Sequence, residues 1–208
     1  MRDDLEFMKS ASPAGKVVSL PPPRREGRLP LEQAIYRRRS VREFSGKPLS
    51  LEDISQLLWA AQGITSGEGK RSAPSAGALY PMEVYIVTAE GFFHYLPERH
   101  ALGLVREGDL RGSLCQAALE QDAVHQARLV MVIAAVYARL EFKYGRDRGP
   151  RYVHMEAGHI AQNVHLQAVA LGLGSVPVGA FNDRQVQTVL GLPSDQVPIY
   201  LIPIGWPR

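Results

Sequence analysis

The chain has 208 residues, of which 45% are hydrophobic and 22% charged, with a formal net charge of +3. That length holds one substantial domain or two small ones, and the composition is ordinary for a soluble globular protein. The basic bias is slight and local, and no long basic stripe interleaved with aromatics runs along the chain, which argues against a nucleic-acid reader.

Residues 9–30 contain Pro13, Gly15, the triplet Pro21-Pro22-Pro23, Gly27 and Pro30. They predict an extended arm outside the folded layers, with the domain proper running over 31–208. Leu31 to Arg38 can form a helix that runs into an arginine cluster. Ser50-Leu51-Glu52-Asp53 has the pattern of a capping signal, and Leu51, Ile54, Leu57, Leu58 and Ala61 then supply one apolar stripe that Gly63 ends. Residues 64–81 are a loop of small residues. Val84–Val87 and Phe92–Leu96 read as strands, and Ala101–Val105 as a third short one before a helix over Asp109–Gln121. Arg128–Ala138 is apolar on both faces beyond its first residue, the pattern of a central strand. A long helix over Tyr152–Leu171, a helix over Arg184–Leu190 and a last strand at Ile199–Ile204 complete the chain. These elements predict an α+β fold, a mostly antiparallel sheet layered with helices.

Several functions are disfavoured by residue type and spacing. Cys115 is the only cysteine, so no disulfide within the chain and no C-x-x-C metal site can form; its helical neighbourhood suits a buried structural thiol. His154, His159 and His165 share one helix at offsets of 5 and 11, not the i, i+4 spacing of a zinc helix, so no metal is expected. Gly172-Leu173-Gly174 with Gly179 lacks the dinucleotide fingerprint and follows a helix where that motif would open one. Residues 1–23 carry Asp3, Asp4 and Glu6 without an apolar core, unlike a signal peptide. The longest apolar run, Leu129–Ala138, is too short to span a bilayer. A cytoplasmic protein without a membrane partner is expected.

Two segments point to a ligand. Residues 37–44, RRRSVREF, place Arg37, Arg38, Arg39, Ser40 and Arg42 within six positions. Guanidinium forks and a hydroxyl suit a phosphate, because their planar geometry matches its oxygens. Residues 72–81, SAPSAGALYP, form a small-residue loop suited to close approach of backbone to a flat ring. One offers a phosphate seat and the other a surface for a planar group.

With a third segment, residues 142–181 (FKYGRDRGPRYVHMEAGHIAQNVHLQAVALGLGSVPVGAF), these motifs resemble the nitroreductase family of flavin oxidoreductases. The similarity is strongest to its SagB-type branch, which includes dehydrogenases that oxidise azolines to thiazoles and oxazoles. Leu57–Gly63 and Ile202–Gly205 match that branch as well. The resemblance implies a homodimer of interlocked chains with FMN at the interface. It implies that Arg38, Arg39 and Ser40 hold the FMN tail and that Arg42 reaches the N1 and O2 edge of the ring. There a fixed cation stabilises the negative charge that reduction creates. Pro74, Ser75, Ala76 and Gly77 match a loop lying against the cofactor, contributed by the partner chain. Pro177, Val178 and Gly179 match the stretch packed on the ring face, with the Gly179 amide aimed at N5. Lys143 and Tyr144 match a Lys-Tyr pair that acts in catalysis in the azoline-oxidising members. Many family members continue past the last strand with further basic residues for the phosphate; here Arg208 alone follows it.

The implied activity is hydride transfer through flavin N5, on a peptide azoline with oxygen as acceptor. The alternatives are a nitro- or quinone-reductase drawing on NAD(P)H, acting on a small molecule, and a flavin-binding protein without a substrate of its own.

Overall fold

The computed structural model describes residues 16–208. The signal-peptide reading of the N-terminus and the first part of the expected arm therefore fall largely outside the described residues. The elements in chain order are β1 (Val17–Ser19), α1 (Leu31–Arg37), α2 (Leu51–Gln62), β2 (Met82–Val87), β3 (Gly91–Leu96), β4 (Ala101–Glu107), α3 (Arg111–Ala117), α4 (Asp122–Gln126), β5 (Leu129–Ala135), α5 (Ala138–Ala170), β6 (Gly174–Ser175), α6 (Asp183–Leu190) and β7 (Val197–Gly205). The strands form one sheet in the order β1-β4-β3-β2-β5-β7-β6, and each named pair is antiparallel. This is the α+β class that the sequence predicts.

The alternation of side chains across the sheet builds two cores. On β5, Leu129, Met131, Ile133 and Ala135 face a layer containing α2 and α5, while Val130, Val132 and Ala134 face α3, α4 and α6. All seven residues of β5 are buried, as a strand flanked by β2 and β7 and covered on both faces requires. Each fully buried Leu, Ile or Met contributes roughly 1.5–3 kcal/mol. Helix α2 starts where its cap says it should. Asp53 N–H donates to Ser50 Oγ at 3.1 Å, and Ser50 N–H donates to the Asp53 carboxylate at 3.1 Å. Its buried stripe of Ile54, Leu57, Leu58 and Ala61 packs against α5.

Four elements differ from expectation. Val17–Ser19 is an edge strand of the sheet, paired with β4, so that part of the arm belongs to a layer. The chain after it is tied to α2, with Ser55 Oγ donating to Pro21 O at 2.6 Å and Arg24 N–H to Gln56 Oε1 at 2.9 Å. The helix expected over Asp109–Gln121 covers only Arg111–Ala117, because Leu119 and Glu120 adopt left-handed backbone at φ 59° and 57°, and α4 starts after them at Asp122. The expected strand through Ala138 stops at Ala135, where Val136 and Tyr137 lead into α5. Helix α5 begins fourteen residues earlier than Tyr152 and is interrupted only at Gly145, whose φ of 77° and ψ of 168° turn one helical segment into the next. Lys143 and Tyr144 thus sit on a helix in front of that break. Among the described residues no helix is long and apolar enough to cross a membrane.

Candidate functional site

The arginine segment leaves α1 and runs along the sheet's far edge. Arg38 is half-buried at the end of α1, while Arg39 folds back so that its Nη1 donates to the carbonyls of Tyr36 and Arg38 at 3.0 and 2.6 Å. Those carbonyls lack helical partners, so a guanidinium there serves as a C-terminal cap. Ser40 lies beside Ser175 of β6 in a parallel bridge, and Val41 N–H donates to Ser175 O at 3.0 Å. Pro177 and Val178 follow β6, and Val178 exchanges backbone hydrogen bonds of 2.8 and 3.0 Å with Leu201 of β7. Gly179 is exposed next to Tyr200. Arg42, Val176, Val178 and Arg208 line one open cleft of about 580 Å³, so the last basic residue stands with the arginine segment. One end of the molecule therefore collects Arg38, Ser40, Arg42, Pro177, Val178, Gly179 and Arg208.

The small-residue loop lies elsewhere, against α5. Ala76–Ala78 form a single tight helical turn, and Gly77 holds φ 62° and ψ 16°. A β-carbon there would fall 2.9 Å from Lys143 Nζ and 2.8 Å from Tyr144 Oη. Only glycine combines that backbone with that clearance. Gly77, Lys143 and Tyr144 thus meet, although 66 residues separate the first two in sequence. The Lys143 ammonium is 5.5 Å from the centre of the Tyr144 ring, which in turn meets Tyr152 edge-on at 4.7 Å.

Tyr80 closes the loop in a left-handed conformation, φ 45°, that costs on the order of 1–3 kcal/mol. Four contacts hold it there. Its N–H donates to Ser75 Oγ at 2.9 Å, its carbonyl accepts from Arg139 at 2.9 Å, its hydroxyl accepts from Arg71 N–H at 3.0 Å, and the Arg71 guanidinium lies 4.6 Å from its ring centre.

Three residues of α5 grip the other side of the loop. Glu156, His159 and Asn163 are spaced i, i+3 and i+7, which places them in one stripe. His159 Nδ1 bonds Pro74 O at 3.2 Å, and Asn163 Nδ2 donates to Ser72 O at 3.4 Å. Glu156 is 1% exposed, with Gln62 Nε2 donating to its Oε1 at 3.2 Å. Burial pushes its carboxyl above the usual range, and Ser75, Gln62, Arg71 and His159 only partly offset that. Sequence reasoning passed over Glu156; the signal was a carboxylate set among Val153, Ala157 and Ile160, the buried positions of the helix.

On the opposite side of α5, His165 supports the arginine end. Nine residues at 100° each put it half a turn of azimuth from Glu156. Its Nδ1 lies 2.7 Å from Ser175 Oγ, and its buried Nε2 has no partner among the described residues. Burial, with the charge of Arg38, lowers its pKa to about 4. The unfolded chain binds this proton near pH 6.5 and the folded chain near pH 4, so stability falls as pH drops through that window. The loss is up to about 3 kcal/mol. Chemical denaturation of wild type and His165→Asn at pH 7 and pH 4.5 should show a smaller pH dependence in the variant; equal dependence would assign the acid sensitivity to other groups.

Within one chain the two halves of the expected seat are therefore separate: arginines and 177–179 on one side of α5, the 74–77 loop with Lys143 and Tyr144 on the other. Among the described residues no cluster of His, Cys, Asp or Glu is arranged to hold a metal ion.

Comparison with known proteins gives this architecture a place. Residues 35–206 match the nitroreductase family. A protein of Methanocaldococcus jannaschii named as a nitroreductase is 44% identical over 181 residues, 84% of this chain and 90% of that one. A crystal structure from Ralstonia eutropha, also titled as a nitroreductase, superposes with a TM-score of 0.83 at 34% identity, covering 92% of this chain and 90% of that one. A chain of the Escherichia coli microcin synthetase McbBCD complex with truncated pro-MccB17 bound superposes at a TM-score of 0.74 and 26% identity, covering 82% of this chain and 70% of that one. The chain belongs to the nitroreductase family and is an oxidoreductase of that family.

Proposed function

We propose that the protein is an FMN-dependent dehydrogenase that oxidises an azoline ring in a peptide to an azole, with two chains completing each flavin site. The observation that carries this reading is the contact of Gly77 with both Lys143 Nζ and Tyr144 Oη. It sets two ionisable side chains of α5 against the loop expected to face the ring. The likeness to a chain of a microcin synthetase solved with a pro-peptide supports a peptide substrate.

The residues fit FMN by their donor chemistry. Arg38 and Ser40 lie together at the end of α1, with Arg42 and Arg208 lining the adjoining cleft. Guanidinium groups and a hydroxyl suit a phosphate monoester, and Arg39 can add its remaining donors. Arg42 would meet the electron-rich edge of the ring, with Pro177, Val178 and Gly179 against its face. Pro74, Ser75, Ala76 and Gly77 would close over it from the second chain, because within one chain α5 stands between the two halves. When bound, the flavin would supply a two-electron acceptor at N5.

Oxidising an azoline removes a proton from one ring carbon and a hydride from its neighbour. The chain must then place a base beside the carbon that loses the proton, and Tyr144 or Lys143 is positioned to serve. Packing against Gly77 and Tyr152 restricts Tyr144 and so limits the loss of orientation on substrate binding.

The direct test is addition of FMN or FAD to flavin-stripped protein, followed by an azoline peptide without oxygen. Stoichiometric binding of FMN in preference to FAD, then bleaching by the peptide, is expected. A protein that binds neither flavin would refute the cofactor, and bleaching by NAD(P)H alone would favour a nitro- or quinone-reductase.

A further inference from the structure

Among the described residues Glu156 is the one carboxylate in the buried core, and hydride transfer gives it no direct task. Its Oε1 accepts from Gln62 of α2, its Oε2 is buried without a partner among the described residues, and the Ser75 hydroxyl faces the same carboxyl. Ser75 Oγ in turn accepts from Tyr80 N–H, which holds the strained end of the loop. Glu156 thus joins α2, α5 and both ends of the turn that presents Gly77. His159 and Asn163, from the same stripe, bond only carbonyls of Pro74 and Ser72.

We propose that Glu156 is a positioning residue that sets the Ser72–Tyr80 loop through Gln62 and Ser75. Its role toward flavin and substrate rests on the functional reading above; its role in ordering the loop does not.

The charged groups facing it are Arg71 from the loop and His159 from α5, while α2 presents the neutral Gln62. Burial outweighs these partners, so the carboxyl holds its proton to higher pH in the folded chain than in the unfolded one. The loop's stability is therefore fully present at low pH and declines as pH rises through the folded value. A protonated carboxyl also supplies a donor where a carboxylate would leave an unpaired buried charge.

The test is residue-resolved amide hydrogen exchange on the flavin-free protein, comparing wild type, Glu156→Gln and Glu156→Ala. Protection at Ala78 and Tyr80 should fall roughly tenfold or more in Glu156→Ala. Glu156→Gln keeps shape and neutrality, so it should retain protection and lose the decline between acidic and neutral pH. In parallel, FMN affinity should weaken roughly tenfold in Glu156→Ala and be restored in Glu156→Gln. Unchanged protection at Ala78 and Tyr80 in Glu156→Ala, or equal loss in both variants with the same pH dependence as wild type, would overturn the proposal. If Glu156→Ala does not fold, Glu156→Gln alone decides it by its pH dependence. Loop deprotection in a protein that binds no FMN would overturn the flavin reading and leave the positioning role standing.

Discussion

Tyr144→Phe or Lys143→Ala is expected to slow reduction of bound FMN by an azoline peptide by about 10²–10⁴-fold, the usual cost of removing a general base. FMN should stay bound, because neither change removes a donor from the 38–42 segment. Separation of the two tasks is the informative part. A packing change alone at half-buried Tyr144 would lower stability without singling out one step of turnover. Dithionite needs no protein base and should bleach all three proteins alike. Stopped-flow reduction measures the ratio. Equal rates for wild type and both variants, with a peptide that turns over, would reduce the pair to a support for Gly77.

Arg38→Ala is expected to weaken FMN binding by roughly tenfold to a hundredfold, the range for losing a hydrogen bond to a charged group. Ser40→Ala should have a smaller effect, since a hydroxyl donates a single hydrogen bond and brings no charge of its own to the phosphate. Arg38 is half-buried beside β6, where its charge already acts on His165. A guanidinium placed there is partly desolvated and ordered before the phosphate arrives, which reduces the entropy lost on binding. Titration followed by quenching of free FMN fluorescence measures the change. Unchanged affinity in both variants would move the phosphate to other residues.

The sheet was legible because its signals are local. Strand β5 is apolar at every position, and α2 carries its own cap and stop. The features missed depend on partners distant in sequence. Val17–Ser19 becomes a strand because β4 offers an open edge and α2 ties down the chain that follows. The break after α3 falls at Leu119 and Glu120, neither of them a residue that marks left-handed backbone. Gly145 and Pro150 read as helix breakers, yet α5 resumes past both, carried by its packing on the sheet and α2.

The site divides in the same way. Composition picked out the arginines and the small-residue loop, since each is a short run of unusual residues. Their placement on opposite sides of α5 could not be read from either run, nor could the meeting of Gly77 with Lys143. Glu156 was overlooked because an isolated carboxylate in a helix is ordinarily solvated, and only its tertiary surroundings bury it.

The separation of the two halves by α5 makes one experiment decisive for a site shared between chains. Arg38→Ala impairs the phosphate half and Gly77→Val the loop half, so each variant alone should bind FMN poorly. Unfolding and refolding them together mixes the chains, and in a shared site each mixed dimer carries one intact half-pair and one doubly impaired one. FMN binding should then recover to roughly a quarter of wild-type stoichiometry with wild-type affinity. No recovery from a mixture shown to contain the mixed dimer would contradict a shared site.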